Sequence, residues 1–249
     1  MVTPTTEETR VNRFESSLSL QGLFSGDNKK PTVILLLTPI LLTTFKYYGS
    51  KDFFVANFAP AVTSGNVEFL AALYLFLSSF VILGIVPLLI VRLVFKEPLK
   101  MYGVALGDWR FGWGAFAILA PVLVILTYPS STMPDFLAEY PINKEAGTSA
   151  MMFATHAGSY LLFYLGWEFF FRGFLQFGLR EKLGDWYAIL VQMLASCLLH
   201  IGKPDGEIYF SIFGGLVAGI VVFRSRSLLY ILLIHWLLGV SLDAFIIYF

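Results

Sequence analysis

The sequence predicts an all-α fold, a multi-pass transmembrane helix bundle of about seven spans. Three observations carry this reading. Of 249 residues, 57% are hydrophobic and 14% charged, where a soluble domain carries about a quarter charged residues. Mean hydropathy is +0.74. Several apolar runs also approach or exceed the roughly 20 helical residues that cross a ~30 Å hydrocarbon core. The 17 basic and 17 acidic residues balance, so no basic surface argues for nucleic acid, and the lipid bilayer is the expected partner. The lone Cys197 closes no internal disulfide and reads as a small core residue.

Seven apolar runs follow in order: 32–48, 67–94, 109–128, 149–179, 185–201, 207–223 and 227–249. The first is short and interrupted by Pro39. The fourth, about 46 Å long at 1.5 Å per residue, must tilt, break or leave the bilayer. Polar, turn-rich pieces at 49–66, 96–108 and 129–148 separate the early spans, and the turns at 203–206 and 224–226 separate the late ones. This divides the chain into a polar tail (1–31), N-terminal spans with their loops (32–148) and a C-terminal core (149–249). The tail has no apolar stretch of the kind a cleavable signal peptide requires, so the first span is expected to act as an uncleaved anchor.

Basic residues set the expected orientation. They alternate between segments, with 13 of the 17 on the side of the N-terminus and 4 on the other. Positive charge stays inside, which places the N-terminus in the cytoplasm and the C-terminus outside.

Ionisable residues within the spans are few, and each is costly in hydrocarbon unless paired. Glu168 and Arg172 lie four apart, on one helix face, within GWEFFFRGFL. They read either as an intrahelical ion pair or as part of a site. His200 closes the fifth span and His235 lies eight residues into the seventh, with Asp243 eight residues further on. Eight steps of 100° bring Asp243 within about 80° of the face of His235, making it a candidate partner. His156 reads as an interfacial residue. A carboxylate and two imidazoles on three helices suit water activation, one group taking a proton and others stabilising an oxyanion. The same three residues, Glu168, His200 and His235, are also the set that would hold Zn²⁺ if a metal were used.

These residues, in this order, resemble the CPBP family, the CAAX-prenyl-protease and bacteriocin-processing (ABI) membrane proteins. The resemblance rests on Glu168-x-x-x-Arg172, on LLH ending at His200, on IHW containing His235, and on FRGFL, DWYAILVQ and FGGLVAGIV around them. It implies an intramembrane glutamate-type endopeptidase, acting without a metal on a membrane-associated or prenylated peptide or protein substrate. Glu168 and Arg172 then match the second Glu and the Arg of the family's E-E-x-x-x-R motif, and His200 and His235 its two histidines. Trp167 stands where the first Glu would be, Gly239 where an Asn is frequent, and Ser196 where an aromatic is usual. Glu207, seven residues after His200 in HIGKPDGE, is an auxiliary candidate alongside Asp243; as a turn residue it has an ordinary explanation too. The alternative function is a catalytically silent relative serving as a membrane scaffold or immunity factor.

The charge bias makes a topological prediction. Reporter fusions after Gly49, Thr148 and Phe249 should report outside, and those after Lys100 and Lys182 cytoplasm; a cytoplasmic C-terminus contradicts it.

Overall fold

The computed structural model describes residues 19–63 and 66–249, so most of the predicted tail lies outside the described residues. Among the described residues, seven long helices form the bundle: α1 (Lys29–Tyr48), α2 (Val67–Phe95), α3 (Trp109–Ser130), α4 (Ala150–Glu168), α5 (Gly178–Leu199), α6 (Asp205–Ser225) and α7 (Leu229–Tyr248). No strand is present among the described residues. By length and composition α1, α2, α3, α6 and α7 are apolar enough to cross a membrane. The remaining two, α4 and α5, carry the region of Glu168, Arg172 and His200.

Pro39 does not end α1, which stays helical on both sides of it; a spanning helix tolerates the one backbone donor proline lacks when its neighbours restore the rest of the ladder. Side chains cap the starts of α2, α3 and α4. Asn66 accepts from the Phe69 amide at the start of α2, and Ser149 accepts from the Met152 amide at the start of α4.

The over-long fourth run resolves into one helix that changes its winding. After Glu168 the chain continues as a π-helix, Phe169–Phe177, and then as α5. Straight passage ends at Gly184 (φ 76°, ψ 171°), a backbone conformation open to glycine and strained for residues with a side chain. From Ala150 to Leu183 the rod is therefore about 51 Å long. The π segment is buried from Phe169 to Gln176, and π turns inside helices concentrate at functional sites.

Helix α4 and its π extension are the hub. α2 crosses α4, α1 packs on α5, α6 lies along α5, and α7 runs beside α3 and against α4. At the α2–α4 crossing the backbones nearly touch. A Cβ on Gly166 would lie 2.2 Å from the Ser79 carbonyl oxygen, and the Ser79 hydroxyl donates to the Phe163 carbonyl at 2.9 Å. Small residues at such crossings allow the close packing that replaces the hydrophobic drive inside lipid. Two buried amides tie α6 into the hub: Gln176 Nε2 donates to the Gly219 carbonyl at 2.9 Å and Gln192 Nε2 to that of Gly215 at 2.8 Å.

Gly166→Ala should lower the melting temperature of the protein in detergent, because the clash is with backbone and overpacking costs about 1–3 kcal/mol. Gly158→Ala on the same helix, where a Cβ meets nothing within 4 Å, should leave it unchanged. Equal melting for both variants would contradict the tight crossing.

Candidate active site

Glu168 ends the regular part of α4 and points into the bundle, 1% exposed. One oxygen, Oε1, takes both of its partners: His235 Nδ1 at 2.7 Å and Arg172 Nη1 at 3.3 Å. An ionised carboxylate only accepts, so His235 donates from Nδ1 and turns Nε2 away from Glu168. The other oxygen, Oε2, and Arg172 Nε are buried without a protein partner. The intrahelical ion pair expected from the four-residue spacing is present, and it extends to a third helix through His235.

His200 caps the C-terminus of α5. Its Nδ1 lies 2.8 Å from the Ser196 carbonyl, which can only accept, so the neutral ring carries its proton on Nδ1 and offers a lone pair at Nε2. Trp167 fills the space beside it, its indole 5.4 Å from the His200 ring and edge-on, and its Nε1 is buried without a partner. Tyr164 packs on His235 with ring centroids 4.6 Å apart. A Cβ on Gly239 would lie 2.0 Å from the Tyr164 hydroxyl, so the glycine is what makes room for that ring.

His200, His235, Arg172 and Glu207 line one cavity of about 490 Å³. Apolar residues of α3, α6 and α7, such as Leu123, Phe213 and Leu238, form most of the rest of its wall. Glu168 is not among the lining residues; it stands behind His235 and Arg172. The two histidines therefore share a site, and the carboxylate hydrogen-bonded to His235 is Glu168.

Glu207 is the auxiliary candidate that also has an ordinary explanation as a turn residue. In the fold it opens α6, and its Oε1 lies 3.9 Å from His200 Nε2. Both its oxygens accept from the Tyr140 hydroxyl, at 2.9 and 2.8 Å. Tyr140 comes from the loop between α3 and α4, which folds back over this end of the bundle and is fastened by an ion pair between Glu139 and Lys203. Burial and the neighbouring Glu207 charge push the Tyr140 phenol well above its usual range, so it is a donor at any physiological pH. Nothing in the sequence pattern of that loop singles out Tyr140.

Two expectations are corrected. Asp243 does not reach His235: eight residues of helix separate them by about 12 Å along the axis, and Asp243 pairs instead with His156 on α4 at 2.8 Å. His156 is not interfacial but fully buried, since this pairing lets both helices carry a polar group inside. Among the described residues, no group of three or more His, Cys, Asp or Glu side chains has metal-binding geometry. Glu168, His200 and His235, the set considered for zinc, do not form such a group.

Residues 149–241 match the family model for type II CAAX prenyl endopeptidase, Rce1-like. Neither a curated protein nor a solved structure matches the chain.

The His156–Asp243 pair should behave as a structural element. Asp243→Ala should destabilise the protein by about 3–5 kcal/mol, since a buried partner is left alone. The double variant His156→Phe/Asp243→Leu should recover most of that loss. Additive losses in a melting-temperature cycle would contradict the pairing.

Proposed function

The C-terminal part of the chain belongs to the CAAX-protease family, and on that premise we propose an intramembrane glutamate-type endopeptidase that hydrolyses a peptide bond of a membrane-associated or prenylated peptide. The observation that carries the proposal is the shared cavity, where two imidazoles from different helices face one apolar chamber with a buried carboxylate and arginine fixed behind one of them.

The roles follow from which atoms face the cavity. His200 Nε2 presents an acceptor to water. His235, held by Glu168 through Nδ1, offers Nε2–H to a developing oxyanion when it is in its imidazolium form, and Arg172 adds positive charge on the same side. Glu168 is then a positioning residue: it fixes the ring and balances its charge, as carboxylates behind catalytic histidines do. The apolar walls lower the local dielectric, which strengthens these interactions.

A second reading is a silent relative that acts as a scaffold. It is favoured by Trp167, whose indole occupies space directly against His200, and by the burial of Glu168 away from the cavity.

Mass-spectrometric comparison of membrane peptides separates the two. The peptidase reading expects a cleavage product with the wild-type chain that falls at least 100-fold in His200→Ala, His235→Ala and Glu168→Gln at equal protein abundance. The scaffold reading expects no product at all, with Glu168→Gln and Arg172→Gln both lowering abundance.

A further inference from the structure

Glu168 is sealed behind His235 and Arg172, yet the cavity is not without an acid. Among the described residues that line it, Glu207 is the one carboxylate. Its side chain is 20% exposed, against 1% for Glu168. Three features aim it. It projects from the first turn of α6, where the helix dipole favours a negative charge. The Tyr140 hydroxyl donates to both oxygens almost symmetrically and so fixes the carboxylate plane, leaving lone pairs free. His200 Nε2 stands 3.9 Å from Oε1, beyond direct hydrogen-bond length. The two acceptors bonded to the two hydrogens of one water lie about 4.4 Å apart at ordinary hydrogen-bond lengths. The spacing therefore suits a water held between a ring whose tautomer is fixed by Ser196 and a carboxylate whose plane is fixed by Tyr140.

Resting on the peptidase reading above, we infer that Glu207 is the catalytic base of this chain, with His200 orienting the same water. As the water oxygen attacks the scissile carbonyl carbon, a C–O bond forms and one water proton passes to Glu207. The carbonyl π pair moves onto its oxygen, which faces His235 and Arg172. Collapse re-forms the carbonyl and breaks the C–N bond, and the proton held by Glu207 transfers to the departing nitrogen. The products are a carboxylic acid and an amine, and Glu207 returns to its carboxylate form. Tyr140 is a positioning residue in this scheme.

The test uses the full chain in lipid nanodiscs and a quenched-fluorescent peptide bearing a C-terminal farnesyl-cysteine motif, alongside the same peptide without lipid. Glu207→Gln should lower kcat by about 10²–10⁴-fold, the usual range for a lost general base, with KM unchanged. Glu207→Asp should recover part of the activity, and Tyr140→Phe should lower kcat by about tenfold, the size of one lost hydrogen bond. A Glu207→Gln enzyme as active as wild type while His200→Ala is dead would overturn the role of Glu207 and leave the peptidase reading standing. So would a Glu207→Gln change confined to KM. Wild-type protein that cleaves neither peptide overturns both. Should Glu207→Gln fail to accumulate, inactivation of the wild-type chain by dicyclohexylcarbodiimide decides: loss of activity that tracks labelling of Glu207 supports the assignment, and loss without label on Glu207 overturns it.

Discussion

A carboxylate carried into the middle of a helical membrane bundle must be matched, because hydrocarbon provides nothing to solvate it. In this chain one oxygen of Glu168 takes that match from two directions, from Arg172 one turn along its own element and from His235 on α7. The arginine alone would have made a local ion pair that any orientation of the helix could carry. Adding the histidine fixes α4 against α7, and with it the azimuth of the π segment that follows. The close α2–α4 crossing at Gly166, two residues earlier, and the clasp of Gln176 on α6 eight residues later both depend on that azimuth.

The cavity results from how the polar groups are distributed around this hub. Large aromatic side chains, Phe163, Trp167 and Phe171, fill the space on one side of Glu168, with Trp167 in contact with the other two. On the other side the histidines and the first turn of α6 leave a chamber open against the apolar faces of α3, α6 and α7. The charged and imidazole side chains of the chamber, Arg172, His200, Glu207 and His235, thus share one cavity with the apolar faces of α3, α6 and α7. The loop between α3 and α4 completes the patch by delivering Tyr140 to Glu207, and the Glu139–Lys203 pair holds that loop to the turn after His200.

The buried Glu168 and the partly exposed Glu207 thus have different environments. Glu168 is enclosed by the Arg172 guanidinium and the His235 ring, which suits it to orient that ring. Glu207 is fixed by a neutral phenol and faces the chamber, which suits it to exchange a proton. Asp243 has a third situation: it is enclosed with His156, is not among the residues that line the chamber, and ties α7 to α4. Three carboxylates within one bundle thus differ in their partners and in their access to the chamber.

Composition and the lengths of the apolar runs were sufficient by themselves to determine a helical membrane bundle and to place its long helices, since burial in lipid leaves a helix as the only open-chain solution and hydropathy records it directly. The Glu168–Arg172 pair was legible for the same reason, because a four-residue spacing is a local property of a helix. The family resemblance picked out His200 and His235 as members of one site. Which carboxylate meets which imidazole was not legible, because that depends on the rotation and depth of helices that are distant in sequence. The π turn after Glu168, the close crossing at Gly166 and the fold-back of the loop carrying Tyr140 set those rotations, and none follows from hydropathy. Asp243 shows the limit plainly: a helical wheel places it near the face of His235 but ignores the 12 Å of rise between them. Only the packed structure decides that it reaches His156, and that Glu207 rather than Glu168 opens into the chamber.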